Sequence, residues 1–228
     1  MTGVSATGDR DLQALLRLMA WLSPAFPVGS FAYSGGLERA VHDGLVKDAT
    51  GLGDWIVALI RHGSAWNDAV LLAEAHGVGE DAARLAKVAE LAEALAGSKE
   101  RHQETMLLGE AFLSAAGAWS HAVFSILAAK TAYPVAVGAV ARAHGISLEE
   151  ALAAFLHALA SQMVSAGIRL GVSGQKDGVA ILAALEDVIA DAAKRAAQSS
   201  LDDLGSATVQ ADIASLRHET LGTRLFRS

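Results

Sequence analysis

The 228-residue sequence contains no cysteine. That absence excludes disulfides, thiolate metal sites, iron–sulfur clusters and a cysteine nucleophile together, and it suits a reducing compartment. Proline is nearly as scarce, occurring only at positions 24, 27 and 134. Runs of β-branched residues are almost missing, so no significant sheet is expected. Positive charge is also in deficit: 18 Lys+Arg against 25 Asp+Glu leave a net −7. Such a balance provides no general electrostatic footprint for nucleic acid. The opening MTGVSATGDRDL has no basic start followed by an apolar stretch, so no secretory signal is expected.

What the chain has in excess is alanine, leucine and apolar character. Hydrophobic residues make up 52% and charged residues 19%, which excludes a disordered chain. Mean hydropathy is +0.34, so membrane spans need testing. The longest stretches without Asp, Glu, Lys or Arg are Ala111–Ala129 and Ala151–Ile168. Both approach the length of a span. Both are rich in weakly inserting alanine, and they carry Ser114, Ser120, His121 and Ser125, or His157, Ser161, Gln162 and Ser165. They read as helices buried in a core or a subunit interface, with no membrane partner.

Apolar spacing organises the chain as helices. Leu12, Leu15, Leu16, Met19 and Leu22 place one apolar face on a helix over about 9–22, with Asp9 as its cap. Ser23–Ser30 breaks it with two prolines and Gly29, and a second helix is expected over Tyr33–His42. Asp48 or Thr50 caps the next, and Gly63 bends or ends it. Trp66, Val70, Leu71 and Ala75 continue the helical spacing until Gly77, and further helices are expected over Asp81–Ala96, Ser98–Ala116, Val123–Ala129, Pro134–His144, Ser147–Leu170, Lys176–Ala197 and Ser206–Thr220. Ser147 and Glu150 have the spacing of a capping box. No repeat and no linker divides the chain. The expectation is an all-α, single-domain bundle of about nine or ten helices over 1–228, with 221–228 a flexible docking tail.

Catalytic signatures are lacking. Gly171–Gly178 has neither the spacing nor the Gly-Lys-Ser/Thr of a phosphate-binding loop. Eight histidines invite a metal site, but neither His-Glu-x-x-His nor Glu-x-x-His occurs. Glu38 with His42, and Glu100 with Glu104, share helix faces and read as surface pairs or helix-end charges rather than metal ligands. There is no Gly-x-Ser-x-Gly elbow, and Ser30 reads as a cap. A general helical interaction adaptor and a metal-dependent hydrolase using scattered His, Asp and Glu both stay open on these grounds.

Two segments are too unusual for packing alone. The first is Trp21–Glu38, which carries Phe26-Pro27-Val28-Gly29-Ser30-Phe31-Ala32-Tyr33-Ser34-Gly35-Gly36-Leu37-Glu38, and the second is Leu216–Ser228, which carries His218-Glu219 and Arg224-Leu225-Phe226-Arg227-Ser228. With Gly174-Gln175 and Asp177-Gly178 between them, they resemble the urease accessory protein UreF family. Where that family usually has Pro-Leu-Gly-Gln, this chain has Val172-Ser173-Gly174-Gln175, and Leu221-Gly222 replaces a more usual aromatic-Ser pair.

The resemblance implies an all-α, usually dimeric, cytoplasmic scaffold that is not an enzyme. It implies the partners UreD/UreH, the GTPase UreG and apo-urease, with nickel and GTP handled by those partners and no cofactor of its own. Under it, Ser30, Tyr33, Ser34 and Glu38 either face the GTPase or a transfer path, or fix the first helix–loop–helix turn. Gln175 either ties two helices or contacts a partner. Arg224, Leu225, Phe226 and Arg227 are expected to dock UreD/UreH, with Phe226 as the apolar anchor; the alternative is packing within the chain.

Overall fold

The computed structural model describes the backbone of residues 3–228 and the side chains from Asp11 onward. Among these residues the helices are α1 (Gly3–Trp21), α2 (Leu37–His42), α3 (Ala49–His62), α4 (Ser64–Val78), α5 (Ala82–Ala94), α6 (Lys99–Ala116), α7 (Val123–Ile126), α8 (Tyr133–Ala143), α9 (Leu148–Arg169), α10 (Gln175–Ala184), α11 (Glu186–Ala197) and α12 (Val209–His218). Short 3-10 turns occupy Ser30–Ala32 and Leu201–Asp203, and the described residues contain no strand. Polar side chains start several helices by satisfying free N–H groups. Asp48 accepts from Gly51, Asp81 from Ala83 and Arg84, Ser98 from Arg101, and Ser147 from Glu150.

The all-α expectation holds, but the helices are more finely divided than the apolar spacing suggested. The expected helix over Lys176–Ala197 is two, because Leu185 turns into the core with ψ near zero and bends the chain. The expected helix over Tyr33–His42 starts only at Leu37. Tyr33 is extended, and Gly35 and Gly36 adopt φ of +60° and +83°, which a right-handed helix does not accommodate. α1 starts at Gly3 rather than at Asp9, whose side chain lies outside the described residues.

α1 is also rotated from the expected face. Ala14, Leu18 and Trp21 are buried, while Leu12, Leu15, Leu16 and Met19 are 52–64% exposed. Trp21 explains the rotation. Its ring packs edge-on against Phe112, Trp119 and His144, and Arg17 one turn earlier reaches His144 Nδ1 at 3.2 Å. A large aromatic anchor and a polar tether outweigh a stripe of aliphatic residues.

The core is built around α8, whose residues 134–141 are all buried. α8 packs on α4, α6, α9 and α5. A Cβ added at Gly138 would run into the Leu72 carbonyl oxygen of α4, so glycine permits that close approach. α9 lies beneath α2, α3, α4, α10 and α11. It is long and apolar enough to cross a membrane by composition, and half of its apolar window is buried inside the protein. α2 and α12 pack on each other at one edge, which brings Glu38 beside His218.

Candidate functional site

Glu38 lies on the first turn of α2 and is 8% exposed. Its carboxylate accepts from the Leu225 amide at 2.7 Å, from the Phe226 amide at 3.0 Å, and from His218 Nε2 at 3.0 Å. Burial pushes the Glu38 carboxyl up, but the His218 hydrogen bond and the two amides prevail and hold it below its ordinary value. His218, fully buried at the end of α12, turns its other nitrogen to Glu100 Oε2 at 2.6 Å. Two N···O contacts need two hydrogens, and a neutral imidazole carries one. The second is supplied by a further ring proton or by a carboxyl proton. Arg224 completes the chain of charges by donating to the other Glu100 oxygen.

The carboxylates address opposite ring nitrogens, so Glu38, His218 and Glu100 cannot converge on one ion. The described residues contain no group of three or more His, Cys, Asp or Glu able to hold a metal. The junction is instead a structural node tying α2, α6 and α12 to residues 224–226.

Residues 225–228 run beside the signature loop. The Ser228 carbonyl accepts from the Ser34 amide at 2.8 Å and also from the Ser34 hydroxyl. The Arg227 amide donates to the Ala32 carbonyl at 2.8 Å. Phe226 is 4% exposed, with the Arg169 guanidinium 4.2 Å above its ring. Residues 224–228 are therefore held against the protein rather than forming a free tail, while Gly222 and Thr223 are exposed, and Phe226 is part of this protein's own core rather than an exposed anchor. Leu225, at 54%, and Phe31, at 70%, are the exposed apolar side chains on the two paired segments.

A second buried polar group lies behind this node. Arg101 pairs with Asp68 and lies 3.6 Å from Glu104, whose Oε2 accepts from the Ser228 hydroxyl at 3.1 Å. Burial raises the Asp68 and Glu104 carboxyls above their ordinary values despite the Arg101 charge. These groups line a cavity of about 610 Å³, with Ser34, Thr105, Tyr133 and Gln162 also on its wall.

The UreF family model matches residues 46–186. The urease accessory protein UreF of Rhizobium johnstonii is 74% identical over 97% of this chain and 100% of its own length. Its counterparts in Agrobacterium fabrum, at 65% over 97% of this chain and 100% of their length, and Rhizobium meliloti, at 63% over 96% and 98%, extend the likeness. The chain belongs to the urease accessory protein UreF family. The stretch matched by the UreF model stops short of both Glu38 and His218, whereas the full-length UreF relatives span nearly the whole chain.

Within this UreF chain, the expected site residues divide into two groups. Ser34, Glu38, Arg224 and Phe226 meet at one place. Tyr33 is buried beside them at 5% exposure and offers its carbonyl to Gln162 at 3.1 Å, so its ring does not face a partner. Ser30 is half-buried on the cavity wall, and Gly29, not Ser30, occupies the cap position. Gln175 is exposed at the start of α10 and no side-chain hydrogen bond joins it to another helix among the described residues; Gln162 of α9 instead ties that helix to the extended segment at Tyr33. Arg227 is exposed. The expected surface pair Glu100 and Glu104 is buried, at 8% and 6%. His42 does not share Glu38's surroundings and contacts Asp43 on the surface. The bridging role of His218, the Arg101–Asp68 pair and the Arg169 guanidinium over Phe226 had no local signal, because these partners lie far apart in sequence; Arg101 and Glu104, at i and i+3, are the near neighbours of that group.

Proposed function

We propose that this chain is a non-enzymatic scaffold for urease maturation. It works in the cytoplasm as a homodimer with UreD/UreH and the GTPase UreG, and it supports nickel insertion into apo-urease. Membership of the UreF family is the single observation that carries this reading. Nickel is cargo and GTP belongs to UreG, a division supported by the lack of a phosphate-binding loop in the sequence. The Glu38–His218–Glu100 node is the device that holds a docking face in shape. Ser34, Glu38 and Phe226 brace it from behind, while Phe31, Leu225 and Arg227 present side chains to a partner. Gln175 belongs to a separate exposed surface open to partner contact.

Co-expression of apo-urease and the other accessory proteins with and without this chain tests the proposal. Nickel content and ureolysis should both fall without it. Unchanged nickel loading would overturn the scaffold role.

A further inference from the structure

A groove of about 660 Å³ lies between the ends of α3 and α11 and the connection 203–207. Arg61 and His62 come from the last turn of α3, Arg195, Gln198 and Ser199 from the end of α11, and Trp66 forms the floor. Its walls are pinned. The Ala207 amide donates to the His62 carbonyl at 2.8 Å, Trp66 Nε1 to the Asp203 carbonyl at 2.9 Å, and the Gly205 amide to Asn67 Oδ1 at 2.8 Å. The Arg195 guanidinium lies 3.6 Å above the Trp66 ring and donates to the Arg61 carbonyl at 2.6 Å.

Cations at helix C-termini ordinarily offset the carbonyl pole, and Arg195 does so through its bond to Arg61. Arg61 lies in the last turn of α3 too, but no hydrogen bond from its guanidinium to a carbonyl is found among the described residues. Its side chain is exposed, and among the described residues neither Arg61 nor Arg195 joins a salt bridge. Two unpaired guanidinium groups and an imidazole thus concentrate in one groove of a protein whose net charge is −7. Stacking on Trp66 fixes the plane of Arg195 and leaves further N–H groups for a planar acceptor. The carbonyl ends of two helices and the nearby Asp203 disfavour a dianion and leave room for a single negative charge. The groove is open along the side formed by Arg61, His62, Arg195 and Gln198, all exposed, so it suits a chain segment rather than an enclosed small molecule.

We propose that this groove receives an acidic segment of a partner protein, with Arg61 and Arg195 gripping an Asp or Glu carboxylate above Trp66. The inference is independent of the urease reading, and its test involves no urease component. A fluorescein-labelled Glu-rich octapeptide and its Gln-rich counterpart are titrated against the full chain by anisotropy, at low and at physiological salt. Saturable, salt-sensitive binding of the Glu peptide alone is expected. Arg61→Glu, at a side chain with no hydrogen bond or salt bridge among the described residues, should weaken it by about tenfold or more. Arg195→Lys keeps the charge but loses the planar stack and should also weaken it. Arg227→Glu, on the C-terminal segment, should leave it unchanged. Absence of saturable binding, equal binding of the Gln peptide, or an unchanged affinity in Arg61→Glu would overturn the proposal. Displacement of the peptide by inorganic phosphate at lower concentration than by acetate would overturn the carboxylate assignment.

Discussion

Glu38 is a buried carboxylate with three donors aimed at it, two of them the amides of Leu225 and Phe226. Glu38→Ala leaves those donors without an acceptor and should cost about 3–5 kcal/mol. Glu38→Gln keeps an acceptor oxygen and should cost less, about 1–3 kcal/mol. Urea midpoints of the two variants check the order; an Ala variant as stable as wild type would remove the node from the account. Two histidines govern the mildly acidic range. Burial, with Arg17 and His121 nearby, brings His144 down to about 4, and burial also lowers His76. Both bind protons more readily once unfolded. Their contribution is complete above the unfolded value near 6.5 and is lost as pH falls, for His144 down through about 4. Glu38 has the same sign at lower pH, whereas Asp68 and Glu104, raised by burial, oppose it. His144→Gln should therefore flatten, but not abolish, the loss of stability between neutral pH and pH 4 in denaturation series. An unchanged slope would mean that His144 does not titrate differently on unfolding.

The helices whose starts depend on a cap a few residues away were legible. Asp48, Asp81, Ser98 and Ser147 each bond within three residues, so the information is local. The rotation of α1 was not legible, because it is decided by Phe112, Trp119 and His144, about a hundred residues away. Of the five residues at helical spacing, Leu12, Leu15, Leu16 and Met19 are exposed and Leu22, just past α1, is half-buried against the core, while α1 itself buries Ala14, Leu18 and Trp21. Leu18→Ala should cost about 2–5 kcal/mol as a core truncation. Leu16→Lys, on the face that spacing alone would have buried, should change stability by no more than about 0.5 kcal/mol. Thermal or urea unfolding separates the two readings; a large loss for Leu16→Lys with none for Leu18→Ala would restore the expected face. The same Leu16→Lys protein also bears on the proposed homodimer. Four exposed apolar side chains on α1 are surface that a second copy could cover, and light scattering of the variant reads whether they do.

At the scale of the whole molecule, the fold brings together two segments nearly two hundred residues apart. Ser34 and Ser228 are separated by 194 positions and Glu38 and Phe226 by 188. Their shared likeness to one family was readable in the sequence, but their contact was not, since nothing local reports a pairing across that distance. The contact changes which substitution tests docking. Phe226 is buried under Arg169 and its amide is held by Glu38, so Phe226→Ala should cost about 3–5 kcal/mol. Any binding defect it causes would then be indirect. Leu225 holds the same backbone place through its amide, but its side chain is 54% exposed. Leu225→Glu should leave the unfolding midpoint within about 0.5 kcal/mol of wild type, yet, if the proposed UreD/UreH docking is right, weaken that binding by about tenfold or more, since the proposal puts an apolar contact where the variant has a charge. A pull-down titration beside a denaturation curve reads both quantities on the same protein. If Leu225→Glu binds as wild type does, the paired segments brace the fold and partner recognition lies elsewhere. If it binds poorly and is also unstable, Leu225 belongs with Phe226 as packing, and the exposed face is carried by Phe31 and Arg227.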